Sequence, residues 1–434
     1  MTSDELLARA LAAIPGGAQT DTKTVSKRLV GIQPSFFVRG KGAYAQDPDG
    51  IWWLDCQMGL GAYILGYCDP LVNRKVASQL RRGSIFSLAS VIELEVAEQL
   101  LGIFPEFENV RFTKNGSDVT SAAVRISRSY TGRQHVIGCG YHGFQDWSMS
   151  LRSGITGVPD CVRELTDGQE EVDLQKILAI LDANPTRFAA VIVDIAGSGL
   201  PDVTLLRELR AKCSAAGTIL IFDEIVSGFR AGLRGVVGLS GVVPDMLCLG
   251  KALANGFPLA ALLGSGDLLS LAPSAGMTAT FAGDCIALAA AQATLEQLRS
   301  GRVYANIEEV GSRLLDAVKT KIVQHGVSHL LYCYGYPGLV ELAASKGATH
   351  GEAAARWLMR EFAGHRIFWQ GSFVLCRDFG EKELTSIASA LEDSLPRLAQ
   401  IDRTEGLKRA VKELDRLEQK YLKCLPKRRR RPTL

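Results

Sequence analysis

The alternation of apolar and polar positions is most regular between residues 173 and 264. Three short apolar runs in this region, over residues 218–222, 246–249 and 259–263, are each closed by a polar residue or a glycine. Apolar runs of this length, bounded by turn residues, are typical of strands that are buried on both faces of a parallel sheet. We therefore predict that the three runs are strands of one parallel sheet.

The residues before these runs extend the same pattern. Residues 173–182 and 203–216 have helical spacing, and an apolar stretch over 189–194 lies between them. Strands that alternate with helices favour a right-handed, mainly parallel sheet with helices on both faces. The predicted fold class is therefore α/β.

The two ends of the chain differ from this centre. The turn at residues 47–50 lies between two β-rich runs of the stretch 34–58 and predicts a hairpin. Strand-like pieces over 338–343 and 366–375 indicate an α+β lobe near the C-terminus. Helical spacing outside the centre is found over residues 2–13, 71–82, 91–102, 302–324, 351–363, 382–399 and 403–423.

Composition and charge narrow the classes of function. With 434 residues, 47% of them hydrophobic and 22% charged, the chain is long enough for two or more lobes of an ordinary globular protein. The net charge of +3 includes five positive charges at 427–431, so the net charge of the rest of the chain is −2. The rest of the chain therefore lacks the excess of positive charge that is typical of nucleic-acid-binding proteins. We expect the tail PKRRRRPTL to be disordered; a solvated end without a partner is favoured over a polyanion-binding segment.

The ten cysteines are scattered, without a CxxC pair or a Cys/His spacing typical of a metal site. This distribution favours reduced thiols over a disulfide framework. No signal sequence and no apolar run of membrane-spanning length is found in the sequence. We therefore expect a cytoplasmic protein that has no metal and no membrane partner.

Two of the predicted strands are followed by reactive side chains. Asp223 comes directly after the run 218–222, and Lys251 lies just past the run 246–249. Ligands of open α/β sheets bind beyond the carboxyl ends of the strands, so both side chains are expected to face one crevice. A carboxylate for a pyridinium nitrogen and an amine for an imine are what pyridoxal phosphate (PLP) requires of its protein. The pair predicts a PLP enzyme.

A second set of candidates lies earlier in the chain. The short strand 110–113 is followed by a polar turn at 114–118 that opens a helix. Gly116 permits a close approach of the backbone, and Ser117 and the first-turn amides can donate hydrogen bonds to an anion. A plain helix cap explains the same pattern equally well. Tyr141 and His142 follow the next strand, where an aromatic ring can lie on a planar cofactor or simply pack.

Several motifs occur in the order of a known family, and the resemblance extends from residue 14 to roughly residue 395. The chain resembles the class III, fold type I PLP-dependent aminotransferases, in particular the glutamate-1-semialdehyde aminomutase-like group. The motifs are IPGG, FTKNGSDVTSAAVRISRSYTGR, CGYHGFQDW, IFDEIVSGFR, LGKALANGFPLAALLG and TFAGD.

The resemblance implies a domain organisation. It consists of a large domain with a mainly parallel sheet and a small α+β domain built from both termini. The implied segments are an N-terminal segment with small-domain β structure, the PLP-binding large domain, the C-terminal α+β small domain, and a charged helix with the basic tail. Their ranges are 1–75, 76–325, 326–400 and 401–434.

The resemblance also implies roles at the reactive centre. Lys251 forms the imine with the cofactor and later moves protons. Asp223 pairs with the pyridine nitrogen. Ile225 packs against one face of the ring, and Tyr141 stacks on the other. His142, next to Tyr141, is expected to line the cofactor pocket, with loop ordering as the alternative.

The same resemblance implies which residues bind the phosphate and that the protein has a partner subunit. Gly116 and Ser117 are expected to hold the phosphate of PLP. Thr280 is expected to reach the phosphate of the neighbouring subunit, which implies a homodimer with shared active sites.

The resemblance leaves the reaction open. Lys23 occupies the place where the aminomutase has an arginine for the substrate carboxylate, and an ammonium lacks the bidentate fork that suits this group. The favoured function is therefore a ping-pong aminotransferase, which alternates between PLP and pyridoxamine phosphate (PMP). It moves an amino group from an amino acid to an aldehyde or ketone, with sugar-like acceptors of specialised biosynthesis among the candidates. A 2,1-aminomutase and a racemase or epimerase are the alternatives.

Overall fold

The computed structural model describes residues 2–195, 199–403 and 406–426. Of the tail PKRRRRPTL, for which we predicted disorder, residues 427–434 lie outside the described residues. Among the helices of the described ranges, none combines the length and the apolar character that crossing a lipid bilayer requires.

The strands are short and are numbered here along the chain. They are β1 Arg39–Lys41, β2 Tyr44–Gln46, β3 Trp52–Asp55, β4 Asn109–Thr113, β5 His135–Cys139, β6 Thr166–Gln169, β7 Phe188–Asp194, β8 Ile219–Glu224, β9 Met246–Leu249, β10 Ala260–Gly264, β11 Leu331–Tyr336, β12 Leu339–Ala344, β13 Ile367–Phe368 and β14 Ser372–Val374.

The helices are numbered in the same way. They are α1 Ser3–Ala13, α2 Met58–Gly61, α3 Pro70–Leu80, α4 Val91–Ile103, α5 Gly116–Thr131, α6 Asp146–Met149, α7 Asp160–Glu164, α8 Leu174–Ala183, α9 Val203–Ala216, α10 Gly235–Ser240, α11 Gly266–Leu269, α12 Cys285–Arg299, α13 Arg302–Gln324, α14 Gly351–Gly364, α15 Glu381–Arg403 and α16 Gly406–Cys424. The predicted long helices are confirmed, with ends displaced by a few residues.

Contacts divide the chain into two compact units. The large unit consists of Gly61–Leu65 and Asp69–Ala305, and the small unit of Met1–Leu60, Gly66–Cys68 and Asn306–Leu434. The domain boundaries implied by the resemblance remain predictions.

The large unit contains a sheet of order β4-β10-β9-β8-β7-β5-β6. The pairs β9–β8, β8–β7, β7–β5 and β5–β6 are parallel, which confirms the predicted mainly parallel sheet. The prediction of a parallel strand over 259–263 was wrong, because β10 is antiparallel to both β9 and β4. Only residues 250–259 connect β9 to β10, and a parallel crossover requires about a dozen residues or more. The strand β6 had not been predicted.

Helix α5 packs against this sheet, and its first turn is fixed by a cap. The Asn115 side chain accepts a hydrogen bond from the Asp118 N–H at 3.0 Å, which starts the helix at Gly116. Val119, Ala123 and Ile126 recur at helical spacing and are fully buried in the core. The sequence therefore fixes both the start of the helix and the face that it buries.

The small unit has two sheets of its own, of order β1-β2-β3-β13 and β11-β12-β14. The predicted hairpin at 47–50 is confirmed, since β2 and β3 are antiparallel and the Asp47 carboxylate accepts the N–H groups of Asp49 and Ile51. The spacing of the stretch 366–375 had suggested one strand, but the structure contains two. Gly371, with a φ of +107°, lies between β13 and β14, and the two strands belong to different sheets.

Glu341 on β12 gives the small unit a dependence on pH. Its carboxylate accepts a hydrogen bond from the Ser372 hydroxyl at 2.9 Å. Burial raises the pKa of Glu341 to about 7 from an ordinary value of 4.5, although that hydrogen bond acts in the opposite direction. The folded protein thus binds this proton more tightly than the unfolded chain does. The resulting stabilisation is complete below pH 4.5 and is lost as the pH rises through 7.

The Glu341→Gln variant is therefore expected to gain stability relative to the wild type as the pH rises. Between pH 5 and pH 8 the difference in the free energy of unfolding should change by about 2–3 kcal/mol. Urea unfolding at a series of pH values measures it. The exposed Glu352→Gln serves as the control. Parallel pH profiles of Glu341→Gln and the wild type would contradict the prediction.

Candidate active site

The carboxyl ends of β8 and β9 carry the two predicted reactive residues. Asp223 lies at the end of β8 and is 3% exposed. Lys251 begins a tight 3-10 turn, Lys251–Ala254, directly after β9. Because β8 and β9 are parallel neighbours, both side chains lie at the same edge of the sheet.

The Asp223 carboxylate is held on both oxygens. Its Oδ1 accepts the N–H of Ile225 at 3.1 Å, and its Oδ2 lies 2.8 Å from Nδ1 of His142. The side chains of Asp223 and His142 are almost fully buried. An ionised carboxylate is an acceptor only, and Nδ1 of His142 can donate to it. His142 had two interpretations, a pocket residue and a residue that orders the loop, and the structure brings it into direct contact with Asp223.

The His142 ring is in turn fixed by Trp147. The two rings stack with centroids 5.7 Å apart and an interplanar angle of 13°, and Nε1 of Trp147 donates to the Ser121 hydroxyl at 2.9 Å. Nε2 of His142 is buried and has no hydrogen-bond partner among the described residues. A buried nitrogen of this kind requires a partner, which a bound molecule could supply.

The start of helix α5 provides donors for an anion. Within the described ranges, the N–H groups of Gly116 and Ser117 make no hydrogen bond to a protein acceptor. The Ser117 hydroxyl accepts the N–H of Phe144 at 3.2 Å. Gly143, with a φ of +102°, has no room for a Cβ, which would overlap with that hydroxyl. The loop after β5 therefore packs tightly on the start of α5, whose free amides suit a phosphate.

Ile225 links these parts. A Cβ on Gly116 would lie 3.2 Å from the Ile225 side chain, and one on Gly250 would lie 3.0 Å from it. The two glycines therefore leave room for Ile225 between the start of α5 and the residue before Lys251. The structure thus brings together Gly116, Ile225 and the Lys251 turn.

Lys251 is largely shielded from solvent. Burial lowers its pKa; Asp194 and Asp223 act in the opposite direction, and the nearby Arg230 lowers the pKa further. A lowered pKa keeps more of the amine neutral and therefore nucleophilic near neutral pH.

Two predicted site residues are exposed in the single chain. Tyr141, which directly precedes His142, is 53% exposed. Thr280 is exposed and lines a cavity of about 790 Å³ whose walls include neither Lys251 nor Asp223. The structure of the single chain therefore does not bring Thr280 to the residues that surround Lys251.

The residues around Lys251 fit pyridoxal phosphate. The free amides at the start of α5 suit its phosphate, and the buried Asp223 suits its ring nitrogen. The shielded Lys251 suits its aldehyde, and Nε2 of His142 lacks a partner within the described residues. These groups meet at one sheet edge, as the cofactor requires.

Comparison with known proteins decides the family. The family model described as aminotransferase class-III matches residues 26–331. The chain belongs to the class III aminotransferase family. As a member of this PLP-dependent family it is an enzyme, and its cofactor is pyridoxal 5'-phosphate.

Individual relatives of this class III aminotransferase carry a more specific name. It is 32% identical to glutamate-1-semialdehyde 2,1-aminomutase of Legionella pneumophila (strain Lens) over 336 residues, which cover 73% of this chain and 77% of the relative. Identity to the same-named protein of Thermomicrobium roseum is 33% over 423 residues, or 93% and 96% of the two chains.

Solved structures show the same fold. A transaminase with PLP bound superposes with a TM-score of 0.84 at 25% identity and covers 93% of this chain and 100% of its own. A glutamate-1-semialdehyde aminomutase from Pseudomonas aeruginosa PAO1 gives a TM-score of 0.78 at 22% identity, with coverages of 91% and 94%. The fold type I architecture predicted from the motifs is confirmed.

Sequence reasoning underrated some residues of this aminotransferase. Trp147, which stacks on His142, and Asn255, which lies beside the Lys251 turn, were not singled out. For Arg230 the sequence offers two interpretations, a partner for the carboxylate of the amino donor and an ordinary ion-pairing arginine, and the second was favoured. The dipeptide Asn255-Gly256 directly after that turn was a usable signal, because such a pair marks a backbone of positive φ.

Proposed function

We propose that this protein is an aminotransferase that moves an amino group from an amino acid donor to an aldehyde or ketone acceptor by a ping-pong mechanism. The observation that carries the proposal is the buried Asp223–His142 pair beside the shielded Lys251. Lys23, which replaces the arginine of the aminomutase, is exposed at the end of the turn Asp21–Lys23 and favours transamination over isomerisation.

Lys251 supplies the movable proton in this mechanism. When bound, PLP links to an amine through its aldehyde and withdraws electrons from the carbon that bears that amine. Nζ of Lys251, whose neutral form is favoured by burial, would take a proton from that carbon and return it elsewhere. Asp194 and Asp223 stabilise the ammonium form that Lys251 then adopts.

Asp223 and the start of α5 are the residues that would hold the cofactor. The Asp223 carboxylate, fixed by the Ile225 N–H and by His142, would pair with a cationic ring nitrogen without having to reorganise. The amides of Gly116 and Ser117 would bind the phosphate, with support from the helix dipole of α5. Ile225 and Tyr141 are assigned to the two faces of the ring.

The second candidate function is a 2,1-aminomutase, which is favoured by the names of the relatives. It would use the same residues, with the difference that the intermediate amine is not released. A racemase would use Lys251 and a second base. The three candidates therefore differ in the product that the protein releases.

The test uses PLP-loaded protein in stoichiometric amount and a panel of amino acids deuterated at the α-carbon. An aminotransferase releases the keto acid of one donor and is left in the amine form, which an aldehyde or ketone then reconverts. Isomerisation of glutamate 1-semialdehyde without release of a keto acid would establish the aminomutase instead. Loss of the deuterium with no keto acid would indicate a racemase. A protein that takes up no PLP would refute all three.

We also propose that the protein is a homodimer with shared active sites. An apolar patch formed by Phe86, Leu88, Val91 and Leu94 is exposed, with Leu88 at 84%. Phe86 and Leu88 line the same cavity as Thr280. Exposed apolar patches mark interaction surfaces, and a second copy that covers this one would bring its residues to Thr280.

Leu88→Asp is therefore expected to convert dimer into monomer and to weaken PLP binding, because it places a charge in the proposed interface. Sedimentation velocity measures the first effect and cofactor titration the second. Leu239→Asp, at a position that is 57% exposed on α10, is the control. A monomeric wild type, or a dimeric Leu88→Asp, would contradict the proposed interface.

A further inference from the structure

A five-residue segment, Gly61–Leu65, lies against the Lys251 side chain within the large unit. Gly61 has a φ of +85°, and a Cβ placed on it would be 3.7 Å from Cδ of Lys251 and 4.0 Å from Nε of Arg230. Gly61 is therefore the point at which this backbone, the lysine stem and the arginine meet.

Arg230 fastens the first half of this segment. It is 1% exposed, and its Nη2 donates to the carbonyl oxygens of Gly61 at 2.8 Å and Tyr63 at 3.3 Å. Two carbonyls that share one guanidinium nitrogen are held in a fixed relative orientation. A buried cation with this role is costly to remove, since the carbonyls would lose their donor.

Asn255 fastens the second half. Its Oδ1 accepts the N–H groups of Ile64 at 3.0 Å and Leu65 at 2.9 Å. Asn255 follows the Lys251–Ala254 turn directly and has a φ of +42°. Lys251 thus begins this turn, and Asn255, which holds the backbone of Ile64 and Leu65, directly follows it.

We propose that Arg230 is a positioning residue for Lys251: it holds the Gly61–Tyr63 backbone against the lysine stem and places a fixed positive charge near the amine. The proposal rests on the proposed function insofar as Lys251 is the reactive amine. Among the residues that the structure describes, the charged groups that act on that amine are Asp194 at the end of β7, Asp223 at the end of β8, and Arg230. Of these, Arg230 favours the neutral form.

The test follows Lys251 in the apoprotein, where neither cofactor nor activity enters. Trace acetylation at a series of pH values, read by peptide mass spectrometry, gives the pH midpoint at which Lys251 becomes reactive. In Arg230→Met this midpoint is expected to rise by about half a unit or more, because a like charge has been removed. Arg230→Lys retains the charge and is expected to stay close to the wild type.

Hydrogen exchange of the peptide that contains residues 61–65 measures separately how firmly the side-chain hydrogen bonds of Arg230 and Asn255 hold this backbone. Exchange is expected to accelerate in Arg230→Met and also in Arg230→Lys. The ammonium of lysine cannot reproduce the geometry of the guanidinium hydrogen bonds to the two carbonyl groups. Asn255→Ala loosens the same segment without a change of charge. It is expected to accelerate exchange and to shift the Lys251 midpoint less than Arg230→Met does.

Arg133→Met is the matched control. Arg133 also donates to backbone carbonyls, those of Phe188, Ala216 and Gly217, and its replacement is expected to leave both readouts at wild-type values. A Lys251 midpoint in Arg230→Met equal to that in Arg133→Met would overturn the proposal. If Arg230→Met does not fold, unchanged exchange of residues 61–65 in Arg230→Lys would overturn it. A failure of transamination would leave these apoprotein results unaffected.

Discussion

Lys251→Ala is expected to lose at least about 10,000-fold in kcat, because the variant has lost the group that carries the proton. Single-turnover measurements with PLP-loaded protein and the identified donor test this. Small primary amines added to the solution are expected to restore part of the rate, since the truncated side chain leaves space for them beside Gly61.

Two further variants test whether the reaction requires the amine of Lys251 or only a positive charge. Lys251→Arg keeps a cation, but its guanidinium is always protonated, so it is expected to be as inactive as Lys251→Ala. Lys212→Ala removes a surface lysine that is paired with Asp182 and is expected to retain full activity. Retention of more than about one hundredth of the wild-type kcat in Lys251→Ala would be incompatible with the proposed proton transfer.

Asp223→Asn has the second largest expected effect, a loss of about 100-fold to 1,000-fold in kcat/KM. Asparagine has the same size but no negative charge, so a cationic ring nitrogen would lose its partner in a buried site. The contact with His142 would weaken as well, because the carboxylate that receives the Nδ1 proton would be gone. Steady-state kinetics and the dissociation constant of PLP measure the change.

The neighbouring Glu224 provides the control for Asp223. Glu224 is also buried at the end of β8, but its carboxylate accepts the N–H groups of Val236 and Val237 and thereby holds the start of α10. Glu224→Gln is expected to reduce kcat/KM by less than tenfold. An equal loss in Glu224→Gln and Asp223→Asn would indicate that both act only through the fold.

The reactive pair could be predicted from the sequence because its information is local. Each apolar run ends at one residue, and parallel strands bring their carboxyl ends to one edge, so Asp223 and Lys251 had to be neighbours. The start of α5 was predictable for the same reason, since Asn115 and Gly116 belong to a short cap pattern.

The rest of the site depends on contacts between distant parts of the chain. His142 and Asp223 are 81 residues apart, and Arg230 meets Gly61 across 169 residues. No periodicity encodes such a pairing, because it arises only when the sheet and its loops have packed. The direction of β10 was missed in a different way, since its composition is that of any buried strand and only the length of the preceding connection distinguishes it.

The backbone of the Lys251 turn has a consequence for the evolution of this enzyme. Lys251 and Asn255 both have positive φ values, +41° and +42°, a conformation that costs a residue with a side chain about 1 kcal/mol or more. At position 251, where no hydrogen bond of the side chain to a described residue offsets this cost, selection for stability alone would favour glycine, and burial of an amine adds to the disadvantage. The turn therefore marks a trade-off between stability and activity. Heat-tolerant variants with full activity are to be sought elsewhere in the chain.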